Sequence, residues 1–259
     1  MSLNGVLAVA GIPVFVLALF IYNKDKEKEP WSLLFKLLGG GILAALAVLV
    51  ITIVLGIFIP SFNLNTENLS EYSNLEVLFH AFIAVALVEE SCKYYFLYKF
   101  SFDHAEFDTL FDMVIYGAFV SLGFAFFEDI LYILSSGYSI GALRAITAIP
   151  MHACTGIFMG IYLGDAALAS RRSATEPKKY KVFAILVPTL LHGLYDYAAF
   201  TNHPVVFVLS FIIIVTVAIV LLNRRSKNDV VVKYRRNECP DCHTKIVGKY
   251  CIQCGKKLY

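Results

Sequence analysis

Charged residues are scarce in this 259-residue chain. Asp, Glu, Lys and Arg make up 16% of it and hydrophobic residues 58%, with a mean hydropathy of +0.69. Soluble domains run at roughly a quarter charged, so the deficit argues against a soluble domain and for an integral membrane protein. The formal net charge is only +2, and with no strongly basic domain no nucleic-acid partner is expected. Basic residues are also missing ahead of the first apolar run, which begins at Leu3. That run lacks the charged leader of a signal peptide and is expected to be a retained helix. The sequence contains no HExxH motif. It also shows no internal repeat or matched pair of broken helices of the kind that marks many transporters.

What is present is a series of apolar runs. Crossing a bilayer takes about 20 apolar residues. Seven runs qualify: Leu3–Tyr22, Leu33–Ile59, Leu75–Tyr98, Leu110–Leu134, Gly141–Leu168, Val182–Phe200 and Val205–Leu222. The expected fold is all-α, a polytopic bundle of about seven transmembrane helices over residues 1–223. The second and fifth runs are long enough to require tilt or an interfacial extension.

Lys and Arg set the expected orientation. Lys24, Lys26 and Lys28 fall in the first loop, Lys99 in the third, and Arg171, Arg172, Lys178, Lys179 and Lys181 in the fifth. The tail carries all the others except Lys36, Lys93 and Arg144, which lie within helices. Every loop on the opposite side lacks both residues. The expectation is a multi-pass protein of the cell membrane with its N-terminus outside and its C-terminus in the cytoplasm.

After a linker at 224–238, residues 239–259 form a second unit. "CPDCHTKIVGKYCIQCG" holds Cys239, Cys242, Cys251 and Cys254 as two CxxC knuckles. Four thiolates so spaced close a tetrahedral zinc site, and a reducing cytoplasm disfavours disulfides. A structural zinc ribbon is expected; its partner is not legible. His243 is superfluous beside four sulfurs. Cys92 and Cys154, within helices, read as packing residues.

The stretch "AVALVEESCKYYF" places Glu89, Glu90 and Lys93 in an apolar helix, where each charge costs several kcal/mol unless compensated. Glu128 and Asp129, Arg144, His152, His192 and Asp196 lie in other helices. At about 1.5 Å per residue, Glu89, Glu90, His152 and His192 converge on one layer near mid-membrane. His192 and Asp196 share a helical stripe. His152 continues the stripe of Gly156, Gly160 and Gly164, which lets a neighbouring helix approach closely. Purely structural pairings also present themselves: Lys93 with Asp112, and Asp129 with Arg144. Glu76 and His80 read as interfacial, and Asn68-Leu69-Ser70 as a glycosylation match of little weight.

"EESCK", "GFAFFEDILYI", "MHACTGIFMG" and "LLHGLYD" follow one another on successive helices. Over residues 85–200 this order resembles the PrsW family of intramembrane proteases, within the superfamily of CAAX prenyl endopeptidases. The family usually shows Glu-Asn where this chain has Glu128-Asp129. The resemblance implies cleavage of membrane-anchored proteins, anti-sigma factors among them, with a single-span protein in the bilayer as substrate. Glu89 or Glu90 would activate water, with His152 and His192 stabilising the oxyanion or protonating the leaving amine. Lys93, Glu128 and Asp196 would support them. Glu and His are also zinc ligands, so a catalytic metal stays open, with a lean toward none. Two other classes remain: a non-catalytic membrane scaffold, and an ion- or proton-coupled transporter.

Overall fold

The computed structural model describes residues 2–64, 71–171, 177–201 and 203–232, together with tail positions 239, 241, 242, 244, 251 and 253–255. The Asn68–Ser70 match, Arg172, residues 233–238 and His243 lie outside the described residues.

The apolar runs fold as helices. They are α1 (Leu3–Tyr22), α2 (Trp31–Phe58), α3 (Asn74–Phe79), α4 (Val88–Ser101), α5 (Leu110–Ser136), α6 (Tyr138–Ile146), α7 (Ala148–Arg171), α8 (Pro177–Phe200) and α9 (Pro204–Lys227). Among the described residues, six helical stretches are long and apolar enough to cross a membrane: α1, α2, α5, residues 138–170 spanning α6 and α7, α8 and α9. The expected third span is also continuous helix. It consists of α3, a π-helical segment His80–Leu87, and α4, which follow one another without a break. The chain is thus an all-α, multi-pass membrane protein. Among the described residues the extended structure is one antiparallel bridge, Thr109 to Val231.

Two boundaries differ from the apolar pattern. The expected fifth span, Gly141–Leu168, is broken at Thr147, where the backbone leaves helical geometry (φ −122°, ψ −67°). Hydropathy does not detect a break that keeps both sides apolar. The last helix continues through Arg224, Arg225 and Lys227. Basic residues in a last turn complement the carbonyl end of the helix dipole. Beyond it, Val230 and Val232 hydrogen-bond to Leu110 and Asp108 at the start of α5.

Helix α5 is the centre of the bundle. Residues 110–125 are all buried, and a helix apolar on every side belongs inside a fold. Two helices approach it backbone to backbone. A Cβ on Gly117 would strike the Gly156 carbonyl of α7, and one on Gly41 of α2 would strike the Val120 carbonyl. Without a hydrophobic drive in lipid, such close packing supplies much of the association. Outward-facing Phe15, Val50, Ile53, Ile57 and Ile213 are exposed, as a lipid-facing surface requires.

Candidate functional site

The four central residues of the sequence reading lie together. Glu89, Glu90, His152 and His192 are all buried and each offers a ligand atom within 4.8 Å of the others. Neighbouring helices place them. The first turn of α4, directly after the π segment, supplies Glu89 and Glu90 as adjacent residues, α7 supplies His152 above its glycine stripe, and α8 supplies His192. Gly193 allows this closeness, since a Cβ there would collide with the Phe82 ring of the π segment.

Lys93 occupies the middle. Its ammonium donates to Glu89 Oε2 (3.2 Å), Glu90 Oε1 (2.9 Å) and His152 Nδ1 (3.0 Å). It also lies 4.0 Å from the Phe124 ring centroid, within range of a cation–π contact. The expected Lys93–Asp112 pair does not form. Asp112 instead caps its own helix, accepting from the Asp108 and Thr109 backbone N–H groups and the Thr109 hydroxyl. An N-terminal cap needs a nearby acceptor, and two carboxylates one turn from Lys93 already satisfy the ammonium.

Both imidazoles carry a carboxylate behind them. His152 Nε2 lies 2.9 Å from Glu128 Oε2, and His192 Nε2 lies 3.2 Å from Asp196 Oδ2. Each ring therefore turns Nδ1 toward the glutamates and Lys93. His192 Nδ1 is 2.9 Å from Glu90 Oε1. The two rings stand nearly perpendicular, 5.0 Å between centroids. Carboxylates placed behind imidazoles fix ring orientation and tautomer.

Arg144 plays a larger part than the sequence suggested. It pairs with Asp129 (Nε to Oδ1, 3.1 Å), as expected, and also with Glu128 (2.6 Å). Its guanidinium lies over the Tyr132 ring. His80, read as interfacial, is buried within the protein, with Nδ1 bonded to the Ser61 carbonyl (2.9 Å). Thr155, whose hydroxyl reaches Glu90 Oε1 at 3.4 Å, had no signal beyond its place one turn after His152.

Two cavities reach this cluster. One, of about 270 Å³, runs from α2 residues Ala45, Val48 and Leu49 to Glu89 and Glu128. The other, also about 270 Å³, is lined by Arg144, His152, His192 and Asp196. His80, Val85, Glu128 and Tyr132 border both. Glu89 borders the first cavity, whereas Glu90 borders neither.

In the tail, Cys239, Cys242, Cys251 and Cys254 bring their sulfurs together, with Sγ–Sγ distances of 3.3 Å (239–254) and 3.4 Å (242–251). None of the four is in a disulfide. Hydrogen bonding from Thr244 draws the Cys242 thiol down to about 6, favouring the thiolate that binds metal. The cluster can hold a metal ion. Cys92 and Cys154 are buried in apolar clusters, as packing residues should be.

The family model described as "PrsW family intramembrane metalloprotease" matches residues 29–222. Protease PrsW of Oceanobacillus iheyensis is 31% identical over 225 residues, 86% of this chain and 97% of that protein. Protease PrsW of Geobacillus kaustophilus is 34% identical over 194 residues (74% and 78%). Protease PrsW of Bacillus subtilis is 33% identical over 190 residues (73% and 80%). No solved structure matches the chain.

Proposed function

The chain belongs to the PrsW family of intramembrane proteases, and from that premise we propose that Glu89 is the group that activates water for peptide-bond cleavage. Family membership makes the protein a peptidase of the membrane, in place of the transporter and scaffold alternatives. The single observation carrying the assignment is the unequal exposure of the two glutamates. Glu89 borders a cavity, while Glu90 is sealed among Lys93, His192 and Thr155.

The family implies a metal, and the donor set fits one. Two carboxylates and two imidazoles lie within ligand spacing, and buried Glu90 Oε2 has no hydrogen-bond partner. Glu89, Glu90, His152 and His192 would hold the ion, which would supply a Lewis acid beside the scissile carbonyl. The chain's own residues do the rest. Glu89 accepts a proton from water at the cavity wall. Glu90, sealed from the cavities, keeps the His192 ring in place. His192 Nε2, 3.2 Å from Asp196 Oδ2, is placed to hold a proton and pass it to the leaving amine. His152, held by Glu128 through Nε2, keeps its Nδ1 turned into the cage.

The substrate we infer is a single-span membrane protein, with anti-sigma-factor-like proteins as the first class to try. The apolar wall offered by α2 beside Glu89 supports this, since a substrate segment arriving from lipid is itself apolar. The charge distribution supports a cytoplasmic C-terminus, where the four cysteines bind structural zinc in a separately folding ribbon. The deciding experiment is incubation of purified protein in detergent with candidate single-span substrates, wild type beside Glu89→Gln. Cleavage by wild type and none by the variant is expected; equal cleavage by both would remove Glu89 from the mechanism.

A further inference from the structure

We propose that the Lys93 ammonium and a divalent metal ion compete for the cage formed by Glu89, Glu90, His152 and His192, so that the cage holds one or the other and never both. The proposal rests on the metal-binding reading of this cage, but its test reads metal and lysine directly.

Geometry carries it. An ammonium has three protons and no acceptor. Lys93 spends all three on atoms of the cage: Glu89 Oε2, Glu90 Oε1 and His152 Nδ1. These are the atoms a metal would use. The lone pair of His152 Nδ1 is decisive, because a ring nitrogen has one. The other nitrogen of that ring faces Glu128 and is not available to the cage. An ion bound through Nδ1 must therefore displace the lysine hydrogen bond. Charge points the same way. A divalent ion between Glu89 and Glu90 would stand next to an ammonium that now lies 2.9–3.2 Å from both. Repulsion at that range, between buried groups, is large.

The arrangement also explains how two adjacent carboxylates tolerate burial before any ion arrives. Lys93 is fully buried, and breaking a buried ion pair by removing one partner is strongly destabilising. The lysine acts as a resident counter-cation that keeps the cage assembled. Its long unbranched stem lets the charge withdraw when a metal takes its place.

The test uses the full chain carrying Cys251→Ser and Cys254→Ser, which removes the tail site. Cobalt(II) is titrated in detergent and followed by its visible absorption. With Lys93 present, binding is expected to be weak. With Lys93→Met or Lys93→Gln, affinity is expected to rise at least about 100-fold, the scale set by loss of a buried charge competitor. Lys93→Arg, which keeps the charge, is expected to bind no tighter than the lysine protein. Equal affinity with and without Lys93 overturns the proposal, as does a folded Lys93→Met protein that binds no cobalt. A second measurement needs no variant at position 93. In protein labelled with 15N-lysine, saturation with zinc is expected to shift the Lys93 Nζ resonance; an unmoved resonance also overturns the proposal.

Discussion

Glu128 and His152, on neighbouring helices and 24 residues apart, meet at 2.9 Å, and the same glutamate oxygen accepts from Arg144 at 2.6 Å. One oxygen thus links the imidazole in the cage to a guanidinium at its rim. Removing such an orienting carboxylate typically lowers activity 10–100-fold. Glu128→Gln is expected to fall in that range while keeping its helicity. Initial rates on a single-span substrate, set beside circular dichroism, check this. An unchanged rate would make the contact incidental.

The neighbouring Asp129 is expected to matter less. It accepts one bond from Arg144 Nε through Oδ1, and its Oδ2 is buried without a partner. An amide in its place would keep the acceptor, and Arg144 would keep its charged partner Glu128. Asp129→Asn should therefore retain activity within a few-fold of wild type and match or exceed its thermal midpoint. A loss comparable to that of Glu128→Gln would show that the second carboxylate is needed.

The two glutamates are expected to fail differently. Glu89→Gln should lose about 10²–10⁴-fold in turnover, the usual contribution of a general base, with little change in thermal midpoint. Glu90→Gln removes the anion that Lys93 and His192 share, so it should lose both activity and stability. Thermal unfolding in detergent separates them. Equal midpoints for the two variants would contradict the division of roles.

Gly193 offers a purely steric test. A Cβ at that position would meet the Phe82 ring of the π segment. Gly193→Val is expected to cost at least about 1–3 kcal/mol through overpacking and to displace His192. Pairing it with Phe82→Ala should restore part of the lost activity. No rescue would mean that the contact does not position the histidine.

On the loop between α1 and α2, burial and the nearby Asp112 charge raise Glu29 to about 9, and its carboxylate accepts from the Tyr116 hydroxyl (2.7 Å). The folded protein then holds a proton that an unfolded chain, with its carboxyl near 4.5, releases. This contribution to stability is full below about pH 4.5 and is lost as pH rises through 9. The thermal midpoint should therefore fall between pH 5 and pH 9. Glu29→Gln, which still accepts from Tyr116, should make that fall smaller. An identical pH profile in the variant would dismiss Glu29 as its source.

The sequence by itself determined that this is an all-α membrane bundle, because lipid leaves long apolar runs little choice but helix. It also determined which residues are chemically exceptional. A carboxylate or imidazole in an apolar helix stands out whatever the fold, so Glu89, Glu90, His152 and His192 were visible, as were the two CxxC knuckles. The glycine stripe of α7 announced a close helix contact without naming α5 as its partner. Tertiary structure alone decided the pairings. Lys93 had two acids one turn back and a third, Asp112, at similar depth, and only packing sent it into the cage and away from Asp112. His80 read as interfacial from its place near a helix end, and the fold buried it where two cavities meet. The π segment ahead of Glu89 and the break at Thr147 left no mark in the apolar pattern, because hydropathy records what a residue prefers to touch and not how its helix is wound. The two irregularities precede Glu89 and His152 in the chain, and Gly193, far along it, packs against Phe82 of the π segment.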